Sequence, residues 1–93
     1  MKKLTLRLSD IDSKDMLYSR LSEALSLPAY CGRNLDALHD VLTDIHEDTF
    51  VKISGIDELR ESLGGYVDAF VRVISDSEEE NPHFAFSIRD GDK

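Results

Sequence analysis

Thr49–Ser54 reads TFVKIS, a short run rich in β-branched and aromatic side chains that stands between two stretches of helical periodicity. Parallel strands need a long return path, and helices on either side of a strand supply it, so this run reads as the second strand of a crossover fold. Towards the N-terminus, Leu35, Leu38, Leu42 and Ile45 recur at spacings of three and four behind Asn34, a good helix N-cap. Before that helix, Met16, Leu17, Leu21, Ala24 and Leu25 follow Ser13 in the same rhythm and predict another over residues 14–25, stopped by Pro28. Lys2–Ser9 alternates Leu4, Leu6 and Leu8 with Lys3, Thr5 and Arg7, the period of a strand.

Towards the C-terminus, residues 56–63 predict a short charged helix broken by Gly64 and Gly65. Val67, Phe70, Val71, Val73 and Ile74 then predict a more apolar helix over Tyr66–Ser77, and Phe84–Ile88, after Asn81-Pro82, predicts a third strand. The order β-α-α-β-α-α-β implies an α/β class: a small three-stranded parallel sheet packed with about four helices, as one layer pair or a three-layer sandwich. No repeat or linker divides the chain, and the acidic run Ser75–Glu80 is its one biased segment, so a single domain over residues 1–93 is expected.

A chain of 93 residues has room for one core. Its 11 Lys and Arg against 19 Asp and Glu leave a net charge of −8, which repels nucleic-acid phosphates and anionic membranes. A charged partner is therefore expected to be basic, with no direct contact to nucleic acid or membrane. The lone Cys31 cannot close an intramolecular disulfide, whereas small secreted domains carry several, so a reducing, cytoplasmic setting is expected. Lys2 and Lys3 are followed by alternation, not by a continuous apolar segment, which argues against a signal peptide.

The acids are unevenly placed. At about 100° per residue, Asp36, Asp40 and Asp44 fall within roughly 80° of one another on the second helix, away from its leucines, with His39 and Thr43 on the border. Like charges four residues apart cost roughly 0.2–0.5 kcal/mol per pair, and acids near a helix C-terminus oppose its dipole. The stripe is either an ordinary solvated face or a surface meant for a cationic partner. Asp36, His39 and Asp40 have spacings that approach a metal site, but no His pair or second ligand cluster completes one. A convex helix face in water also lacks the pocket that separates two carboxylate pKa values for acid–base catalysis. No catalytic residue, metal or cofactor is expected.

The segment Leu27–Thr43, LPAYCGRNLDALHDVLT, resembles the barstar family of intracellular ribonuclease inhibitors. The order of Pro, Tyr, Gly, Asn, Asp-Ala-Leu and Asp is the distinctive part, and a weaker similarity in element order extends over nearly the full length. The resemblance implies a three-stranded parallel sheet and inhibition of a basic, barnase-like ribonuclease of extracellular type, or a related toxin. The second helix and its preceding loop would enter the enzyme's active site, where carboxylates take the place of RNA phosphates. On this reading Asp40 occupies the phosphate site, with Asp36 and Thr43 flanking it. Tyr30 and Asn34 contact from the loop and helix start, and Asp76 from the later helix. The chain has Cys31 and His39 where the family pattern has aromatic residues, and Asp44-Ile45 where it has glycine and tryptophan, so His39 and Asp44 bring different chemistry to that surface. The alternative is a regulatory binding module on the same scaffold with a non-nuclease basic partner.

Overall fold

The computed structural model describes residues 1–27 and 32–89. Strand β1 (Lys2–Arg7) is followed by α1 (Lys14–Leu25) and α2 (Leu35–Thr43), then β2 (Thr49–Ser54), α3 (Ile56–Leu63), α4 (Tyr66–Glu80) and β3 (Phe84–Arg89). The strands form one parallel sheet in the order β1-β2-β3. The expected α/β order is therefore the observed one.

Alternation decides which face of the sheet is buried. Leu6 and Leu8 from the β1 side, Val51 and Ile53 from β2 and Phe84 from β3 are buried against Leu17, Leu21, Leu38, Leu42, Leu59, Phe70 and Ile74 from the helices. The opposite face stays open: Lys3, Thr5, Arg7, Lys52, Ser87 and Arg89 are all exposed. Of the two layerings the sequence allowed, the structure adopts one helical layer on one side of the sheet.

Four boundaries differ from the sequence expectation, the smallest being that of β3, which runs one residue past Ile88 to Arg89 because its partner β2 continues to Ser54. Strand β1 ends at Arg7, not Ser9, because β2 ends at its partner Ser54; the Leu8 N–H still reaches the Ser54 carbonyl at 2.9 Å. Just beyond, Gly55 takes φ +84°, and a side chain there would run into the backbone of Leu8 and Ser9. Helix α2 stops at Thr43, so Ile45 lies outside it and Asp44 is its C-cap. Helix α4 continues through the acidic run to Glu80 and is capped by Asn81.

Asn81 is buried and its side chain joins three elements. Its Nδ2 donates to the carbonyls of Leu42 at 2.8 Å and Ile45 at 3.1 Å, while its Oδ1 accepts from the His83 N–H at 2.9 Å. The end of α2 is thereby fixed to the end of α4 and the start of β3.

Candidate protein-binding face

Helix α2 begins where Asn34 Oδ1 accepts from the Ala37 N–H at 2.8 Å, a side-chain cap that satisfies one of the free donors of the first turn. Arg33, the residue before the cap, is committed to α1: it donates to the Asp15 carbonyl and to Ser19 Oγ, both at 2.8 Å, and pairs with the Asp15 carboxylate. The cation closest in sequence to the acidic stripe is thus engaged elsewhere. Leu38 and Leu42 hold the opposite side of α2 in the core.

Asp36 and Asp40 are exposed, and neither carboxylate has an ion pair or hydrogen bond among the described residues. Thr43 is half-buried, and its hydroxyl donates back to the carbonyls of His39 at 2.8 Å and Asp40 at 3.2 Å. His39 is half-buried on the α4 side, with Nε2 3.2 Å from Glu80 Oε2. Asp44 is exposed at the C-cap, 4.0 Å from His46 Nε2. Asp76 is exposed on α4 and lies about 40° around that helix from Glu80, on the side that meets His39. Asn34, Asp36, His39, Asp40, Thr43, Asp44 and Asp76 therefore occupy α2, its caps and the adjoining flank of α4. Tyr30, together with Pro28 and Cys31, lies outside the described residues.

Two neighbouring acids, Glu78 on α4 and Asp48 in the connection before β2, diverge from this group. Glu78 turns to the sheet edge, where its carboxylate accepts from the Phe86 N–H at 3.2 Å, and Asp48 pairs with His83 Nδ1 at 2.8 Å. Among the described residues no three His, Asp or Glu side chains converge as metal ligands would. Glu80 and Asn81 are the contributors that sequence reasoning did not single out. Glu80 sits in an acidic run with no local sign of its partner 41 residues away, whereas the Asn81-Pro82 pair carries a visible turn signal.

No helix of the described residues is long and apolar enough to cross a membrane. The family model described as Barstar (barnase inhibitor) matches residues 1–90. A Bacillus subtilis (strain 168) protein named "Putative ribonuclease inhibitor YrdF" is 32% identical over 81 residues, covering 86% of this chain and 89% of that protein. With the three-stranded parallel sheet, the paired helices between its strands and the capped acidic α2 in place, the chain belongs to the barstar family.

Proposed function

We propose that this protein inhibits a basic ribonuclease of the barnase type, or a related basic toxin, by inserting α2 and its preceding loop into the enzyme's active site. Membership in a family described as barnase inhibitors supports an inhibitor role and not an enzymatic one. The observation that carries the reading is the state of Asp36 and Asp40: exposed carboxylates, unpaired among the described residues, on a helix anchored from behind by Leu38, Leu42 and Asn81. A ribonuclease must hold RNA phosphates with cationic side chains, and a carboxylate fixed on a rigid element meets those cations with little loss of side-chain freedom.

Asp40 is the phosphate substitute in this reading, with Asp36, Asn34, Thr43 and Tyr30 around it. Asp44 and Asp76 extend the negative field, and His39 replaces an aromatic contact by a polar one held by Glu80. A single domain over residues 1–93, acting in the cytoplasm, would protect the cell against such an enzyme. The test is affinity capture from extracts containing small basic ribonucleases, with the parent chain beside Asp40→Ala. Capture of an active ribonuclease by the parent and its loss with Asp40→Ala supports the proposal. Selective capture of non-nuclease basic proteins, with no inhibition of any ribonuclease tested, would favour a regulatory binding module.

A further inference from the structure

All-parallel sheets are normally covered on both faces, yet here one face is bare. Its nine outward positions are Lys3, Thr5 and Arg7 on β1, Phe50, Lys52 and Ser54 on β2, and Ala85, Ser87 and Arg89 on β3. They include four cations and three hydroxyls but no acid, in a chain with 19 acids and 11 bases. None of the four cations forms an ion pair among the described residues. We propose that this face binds a phosphate monoester through Arg7, Lys52 and Arg89, with the hydroxyls of Thr5, Ser54 and Ser87.

The strand register sets the geometry. Arg7, Ser54 and Arg89 share one row across the sheet, and Thr5, Lys52 and Ser87 share another. With strands roughly 4.8 Å apart and residues of one face roughly 6.6 Å apart along a strand, the two arginines flank Ser54 with their Cα atoms roughly 10 Å from each other, and Lys52 lies one step back. A concavity of about 270 Å³ is lined by Thr5, Lys52, Ile53, Ser54, Ser87 and Arg89, with Arg7 in the adjoining row position beside Ser54. Arginine pairs in bidentate fashion with phosphate oxygens, lysine adds a point charge, and hydroxyls donate to whatever oxygens remain. Half-buried Phe50, one step further along β2, offers an apolar surface to the organic part of the ligand.

Cations also blunt an open sheet against stacking on another sheet, but repulsion alone calls for neither interleaved hydroxyls nor a concavity. A net charge of −8 opposes the approach of a long polyanion, whereas a small ligand responds chiefly to the nearby cations. The face lies across the sheet from Leu38 and Leu42, so this site is independent of the proposed inhibitory surface.

The test is an NMR titration at constant ionic strength with inorganic phosphate, a nucleoside monophosphate and a short single-stranded RNA in separate arms. Saturable shifts centred on Thr5, Arg7, Lys52, Ser54, Ser87 and Arg89 are expected with the first two probes. The nucleotide should bind more tightly and also shift Phe50. Lys52→Gln combined with Arg89→Gln should weaken binding by about tenfold or more, with ribonuclease inhibition unchanged. The map on the parent protein does not depend on that variant. Absence of saturable shifts with phosphate and nucleotide, shifts centred elsewhere, or binding of RNA alone would overturn the assignment.

Discussion

The Asn81 side-chain amide donates to the Leu42 carbonyl at 2.8 Å, linking the cap of α4 to the last turn of the helix that carries Asp40. The same amide reaches Ile45 and accepts from His83, so little of its hydrogen-bonding capacity is left unused. Removing it strands carbonyls at the end of α2 in a buried setting. Asn81→Ala should lower stability by about 2–4 kcal/mol, and Asn81→Asp by at least as much because a carboxylate would face two carbonyl oxygens. A fall in the urea midpoint at unchanged slope would report this; a loss below about 1 kcal/mol would show that the amide is dispensable.

Gly55 closes β2 against the end of β1. Its φ of +84° disfavours other residues, and a Cβ would meet the backbone of Leu8 and Ser9, which cannot swing aside as a flexible side chain can. Gly55→Ala should therefore destabilise the fold by about 2 kcal/mol or more. Gly64 also has positive φ, at +60°, but the space around it is open, so Gly64→Ala should cost less. Equal losses at the two positions in denaturant unfolding would contradict the close approach.

Asp10 lies beside Arg20, whose guanidinium hydrogen-bonds its carboxylate at 2.8 Å and holds the carboxyl below its ordinary value of 3.8. The folded state thus favours the ionised form. The contribution is present above 3.8 and is lost as pH falls through the lower folded-state value. Asp10→Asn should be less stable than the parent near neutral pH, with the gap closing in acid. Unfolding by denaturant at both conditions measures it, and a pH-independent gap would exclude this pair as its source.

Much of this was legible locally. The bounds of α1, β2 and α3 follow from capping residues, glycines and β-branched runs that lie within the elements themselves. The ends that differed depend on distant partners. Helix α2 stops short of Ile45 where Asn81, 39 residues beyond Leu42, takes up the Leu42 and Ile45 carbonyls on either side of the helix end, and β1 stops where the β2 ladder does. The acidic stripe was readable from helical spacing, but the His39–Glu80 contact and the outward turn of Glu78 required the packing of α4 against α2 and β3.

The flanking acids Asp36 and Asp76 should govern encounter more than residence. For association with a basic ribonuclease, the on-rate should fall steeply with added salt, because surface charges act over a screening length of about 8 Å at physiological ionic strength. Asp36→Asn and Asp76→Asn should reduce the on-rate and flatten its salt dependence while leaving the off-rate nearly unchanged. Stopped-flow association over a salt series reads both effects, and an on-rate indifferent to salt would remove the basis for steering.

Asp40 is the centre of the account, and the most direct measurement is the Kd of a captured ribonuclease for the parent protein against Asp40→Ala. Truncating one partner of a buried, hydrogen-bonded charge pair costs about 2–5 kcal/mol or more, a range that barstar complexes themselves helped to set. Asp40→Ala should lose affinity in that range, chiefly through a faster off-rate and with loss of inhibition, while its unfolding midpoint stays unchanged. An Asp40→Ala protein that binds and inhibits as tightly as the parent would contradict it.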